Sequence, residues 1–83
     1  MKESYINVSE IREFVNKREL KNLKIESMSN VFDDVYFLGV YLVDSDSKIL
    51  IYSLVGKESL KDNEELFIKN AFKAIENIIE KLF

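Results

Sequence analysis

The chain has 83 residues, a formal net charge of −3, 47% hydrophobic and 33% charged residues, and neither cysteine nor histidine. That composition supplies one small core and a solvated exterior, and predicts one domain over residues 1–83. The missing side chains exclude disulfides, thiolate nucleophiles, imidazole bases and the usual transition-metal ligands, so no catalytic residue, metal or other cofactor is expected.

Asn7 is placed to cap a helix, with Glu10 as its capping-box partner and Ile6 and Ile11 as a hydrophobic staple. The stripe Val8, Ile11, Phe14 and Val15 carries that helix to a frayed end near Arg18 or Glu19. From Leu23 to Met28 the pattern alternates, which predicts a strand. A polar connection through Ser29, Asn30, Asp33 and Asp34 follows. Val35–Val43 is rich in β-branched and aromatic residues and predicts a second strand. Asp44 to Lys48 is a turn by composition, Ile49–Val55 is the returning strand, and Gly56 ends it.

A longer helix begins between Ser59 and Asn63, with Asp62, Glu64 and Glu65 near its positive end. Its apolar stripe is Ile68, Ala71, Phe72, Ile75, Ile78, Ile79 and Leu82, with Phe83 beyond it as an anchor. The order α-β-β-β-α predicts an α+β fold: a three-stranded antiparallel sheet with both helices on one face.

The other face is then the question. Val35, Phe37, Gly39, Tyr41 and Val43 alternate with Tyr36, Leu38, Val40 and Leu42, and the returning strand is apolar on both sides too. An antiparallel sheet with one wet face should alternate apolar with polar, so two helices leave part of this sheet unsatisfied. Burying about four such side chains is worth on the order of 6 to 12 kcal/mol before ordering costs. The expectation is a sheet face that pairs with a second copy or a protein partner, with Tyr36, Leu38, Val40, Leu42 and Tyr52 as candidate interface residues.

Charge is unevenly spread. Residues 1–25 carry six basic and four acidic side chains, residues 26–65 three and nine, and residues 66–83 three and two. The acidic middle suits a basic protein groove and repels phosphate. Lys17, Arg18, Lys21 and Lys24 cluster near the first helix's end, where cations also complement its dipole. Asp44-Ser45-Asp46 begins like a calcium loop, but Ile49 replaces the required glycine and Val55 the bidentate glutamate, which excludes an EF-hand. Two distant glycines exclude a phosphate loop. With no membrane-length apolar run and no signal-like leader, the pattern fits a cytoplasmic protein.

The α-β-β-β-α order, with Asn70-Ala71-Phe72-Lys73-Ala74-Ile75 in the last helix, resembles double-stranded RNA-binding domains. Their phosphate-gripping lysines are replaced here by Lys61-Asp62-Asn63-Glu64-Glu65, so direct nucleic-acid binding is not expected. Leu23-Lys24-Ile25-Glu26-Ser27, the strand pair, Gly56 and the final helix resemble the regulatory domain of isopropylmalate synthases, which implies a homodimeric small-ligand module. Asn7-Val8-Ser9-Glu10-Ile11-Arg12-Glu13, Asn16-Lys17, the Asp44–Lys48 turn and Phe67-Ile68-Lys69-Asn70-Ala71-Phe72-Lys73 resemble small anti-CRISPR inhibitors. That resemblance implies a non-enzymatic mobile-element inhibitor of a bacterial defence nuclease. Asp44, Asp46, Glu58, Glu64 and Glu65 would imitate DNA phosphates.

Overall fold

The polar residues that open the chain form a strand. The structure, a computed structural model, describes residues 1–82 apart from the side chains of Leu20 and Leu82. Phe83 and the Leu82 end of the expected stripe lie outside the described residues. The elements are β1 (Lys2–Tyr5), α1 (Val8–Asn16), β2 (Lys24–Phe32), β3 (Val35–Val43), β4 (Lys48–Lys57) and α2 (Glu64–Leu82), with 3₁₀ turns at Leu20–Asn22 and Glu58–Asn63. The fold is α+β, but its antiparallel sheet has four strands, in the order β1-β4-β3-β2. The expected three are corrected by β1, which has no hydrophobic period and owes its structure to pairing with β4. Tyr5 stands opposite Tyr52, their ring centroids 4.8 Å apart.

Local chemistry explains the boundaries. Asn7 Oδ1 caps α1, accepting at 2.8 Å from both the Ser9 N–H and the Ser9 hydroxyl. The cap thus runs to Ser9 rather than to the box expected with Glu10, because Ser9 presents two donors at once. β2 continues past Met28 to Phe32, since Asp33 and Asp34 alone make the turn into β3. Both take left-handed φ values, 52° and 64°, the pattern of a tight two-residue hairpin that aspartate tolerates better than most residues.

Residues of alternate parity go to opposite faces. Tyr36, Leu38, Val40 and Leu42 of β3 are buried, and they form one core with Tyr52 and Leu54 of β4, Ile11 and Val15 of α1, and Ala71 and Ile75 of α2. Both helices therefore cover the same face. At 1.5 Å per residue, the 19 residues of α2 span roughly 28 Å, about the length of the sheet.

β4 carries a bulge. Between Val40 and Tyr41 the partner in β4 jumps from Tyr52 to Leu50, leaving Ile51 as an extra residue. Ile51 is drawn into the core, Leu50 turns outward, and the Ile51 carbonyl accepts the Ile6 N–H at 3.0 Å, just before the Asn7 cap. Among the described residues no helix is long and apolar enough to cross a membrane.

Candidate interaction face

The two helices leave one face of the sheet uncovered, and that face is apolar. Register places Met28 beside Gly39, Phe32 beside Val35, Phe37 between Asn30 and Val55, and Tyr41 between Glu26 and Leu50. Met28, Phe32, Phe37 and Leu50 are 58%, 72%, 42% and 43% exposed. At roughly 200 Å² for a fully exposed side chain of this size, the four present on the order of 400 Å² to water, comparable to the largest apolar patch of an ordinary monomer.

The centre of this face is a shallow groove of about 260 Å³ lined by Met28, Phe37, Gly39, Tyr41, Leu50 and Val55 among others. Gly39 forms its floor. A Cβ there would lie 3.0 Å from Tyr41 Cε2, so the tyrosine ring rests across the glycine and covers the backbone. The Lys48 ammonium in turn sits 4.9 Å from the centre of the Tyr41 ring. The groove is thus apolar, with Lys48 and Glu26 both near Tyr41 at its border.

The five residues expected at the open face, Tyr36, Leu38, Val40, Leu42 and Tyr52, are instead the core, each 3% exposed or less. The parity opposite to the expected one is open. Gly39 is the residue that could have decided this, because a glycine pointing into a core leaves a hole, whereas Tyr36, Leu38, Val40 and Leu42 form an unbroken run of filling side chains.

The acidic residues do not gather in one place. Asp44 and Asp46 lie in the turn after β3, while Glu58, Glu64 and Glu65 lie at the other end of the same strand. Nine residues of β3 separate the two groups by roughly 27 Å. Asp44 is also occupied: its Oδ2 lies 3.3 Å from Arg18 Nε and its Oδ1 accepts the Ser45 N–H at 2.8 Å. Arg18 Nε is close enough to pair electrostatically without being aligned as a hydrogen bond. The guanidinium stacks 3.7 Å from the Phe14 ring centre and donates to the Phe14 carbonyl at 2.9 Å. Asp44 therefore fastens the β3–β4 turn to the end of α1. Asp44→Ala is expected to cost about 1 to 2 kcal/mol, and Asp46→Ala less than about 0.5, in paired urea titrations; equal effects would remove the fastening role.

Glu64 accepts a hydrogen bond from the Tyr36 hydroxyl at 3.0 Å. Burial first, and then that carboxylate, push the Tyr36 phenol well above the ordinary tyrosine value. Tyr52 is raised in the same direction by burial and next by Glu3. Glu58 and Glu65 are exposed, and the Glu58 N–H donates to the Asp34 carbonyl at 3.1 Å. The basic cluster is largely neutralised: Lys17 pairs with Glu13 at 3.3 Å, Lys21 with Glu19 at 3.4 Å, and Arg18 with Asp44. Among the described residues, no group of acidic side chains is arranged to hold a metal ion.

Comparison with known proteins adds no relative. No protein-family model matches the chain, and no curated protein or solved structure matches it.

Proposed function

We propose that the protein is a non-catalytic binding module that holds a protein partner on the open face of its sheet. The observation that carries this reading is the exposure of Met28, Phe32, Phe37 and Leu50 on one face of the sheet. Large side chains left in water across a sheet are the usual core of a protein interface. The absence of histidine and cysteine from the sequence supports a role without chemistry. A small ligand finds less support, because the groove on the open face, about 260 Å³, is small beside ordinary ligand pockets and is lined by no charged side chain, its polar groups being Ser29, Asn30, Tyr41 and Ser53.

A narrower form of the reading, inhibition of a basic nucleic-acid groove in a defence nuclease, is favoured by the exposed carboxylates of Asp33, Asp34, Glu58, Asp62 and Glu65 around one end of the sheet. Both forms are tested by capture from bacterial lysate on the immobilised protein. Phe37→Lys combined with Leu50→Lys is expected to weaken retention at least about 30-fold while leaving the circular dichroism spectrum unchanged. Glu58→Lys with Glu65→Lys should release the partner only if the acidic end makes the contact. Undiminished capture by the face variant overturns the open-face reading.

A further inference from the structure

The longest unprotected feature of the molecule is a backbone edge. β2 is the outermost strand on its side, nine residues long and exposed along most of its length. Its register with β3 is unbroken from Lys24 to Phe32, so no bulge twists the edge away. The chain contains no proline to block it, and its charges, Lys24 and Glu26, sit at one end. Long edges usually carry at least one such guard near their middle.

The two-residue turn fixes which groups point outward. It makes Phe32 and Val35 a hydrogen-bonded pair, so Asn30, Met28, Glu26 and Lys24 also direct their backbone groups to β3. The backbone N–H and C=O groups of Ile25, Ser27, Ser29 and Val31 therefore face away from the sheet.

We propose that two copies of the chain join antiparallel through β2, with Met28 opposite Met28 across a two-fold axis. This register uses all nine residues of the strand and sets Ile25 against Val31, Ser27 against Ser29, Glu26 against Asn30 and Lys24 against Phe32. The outward groups then form about eight interchain hydrogen bonds. No like charges meet, and each Ile25–Val31 pair adds an apolar cross-strand contact. Sliding the copies toward Lys24 until Glu26 faces Glu26 opposes two carboxylates and shortens the ladder. Ser27 and Ser29 are small and exposed on the helix side, which leaves room beside the joint. The result is an eight-stranded sheet closed by an isologous contact. The joint shares Met28 and Phe32 with the open face but leaves Phe37 and Leu50 outside it, so variants at the latter two test the proposed partner separately from the pairing.

Cysteine is absent from the chain, which makes a register test clean. Met28→Cys should form a disulfide-linked dimer under mild oxidation, because directly opposed non-hydrogen-bonded residues stand about 4.5 Å apart at Cα, within disulfide reach. Leu50→Cys, on the open face two strands away, should not. Wild-type protein should sediment as a dimer at micromolar concentration. Asn30→Glu should weaken it about tenfold by placing a carboxylate opposite Glu26 of the other copy, and adding Glu26→Lys should restore it. Ser27→Pro should yield a folded monomer, since the N–H it removes has no partner within the chain. A wild-type monomer, cross-linking of Leu50→Cys as fast as that of Met28→Cys, or failure of Glu26→Lys to rescue a folded Asn30→Glu protein each overturns the proposal.

Discussion

Tyr36→Ala is expected to destabilise the fold by about 3 to 5 kcal/mol, whereas Tyr36→Phe should cost only about 1 kcal/mol. Tyr36 is fully buried and is the largest such side chain in the core. It stands between Val31 and Gly56 on the helix side, beneath the start of α2. Truncating a buried aromatic ring costs about 3 to 5 kcal/mol, and an 83-residue domain without disulfides holds on the order of 4 to 12 kcal/mol. The phenylalanine variant keeps the ring and gives up the hydrogen bond to Glu64, whose half-exposed carboxylate can turn to water. Urea midpoints of the two variants separate packing from hydrogen bonding. If phenylalanine destabilises as much as alanine, the Tyr36–Glu64 bond holds the start of α2 and the ring does not.

Stability is expected to fall steeply above about pH 10. Tyr36 and Tyr52 are buried and both phenols are raised above the ordinary value, chiefly because burial disfavours tyrosinate. The folded chain therefore keeps protons that the unfolded chain releases once pH exceeds the unfolded tyrosine value of about 10. The stabilisation is fully present below that pH and is lost as pH rises toward the folded values. Each such tyrosine removes about 1.4 kcal/mol per pH unit, so the pair removes about 3 kcal/mol by pH 11. A series of urea titrations from about pH 8 to 11, with tyrosinate absorbance followed in parallel, measures this limb. Combining Tyr36→Phe with Tyr52→Phe should flatten it. A limb of unchanged slope in that variant would assign the alkaline transition to other groups.

The sequence reveals the elements whose side chains determine them locally. The stripes of α1 and α2 and the apolar run of β3 are legible because their periods survive in the structure. β1 is not, since Lys2, Glu3, Ser4 and Tyr5 acquire strand geometry only by lying along β4, some fifty residues away. β2 reads as ending at Met28 because Ser29 and Asn30 have loop chemistry, yet pairing with Leu38 and Phe37 keeps them extended. In β4 the run Ile49-Leu50-Ile51-Tyr52 has no readable phase, because the bulge at Ile51 resets which side each residue faces. An uncovered apolar sheet face is legible from excess hydrophobicity alone. The choice of face needs the helices in place, and the duty of Asp44 needs Arg18, which approaches it from a different element.

The extra residue at Ile51 also bears on how the chain can diverge. Removing Ile51 would leave Leu50 opposite Tyr41, but it would take from the core the side chain that the bulge places there and remove the carbonyl that holds Ile6 at the threshold of α1. The Asp44–Ser47 turn carries no such double duty in its length, since only Asp44 is fastened to another element. Insertions and deletions among descendants of this chain are therefore tolerable in that turn and prohibited in the strand that follows it.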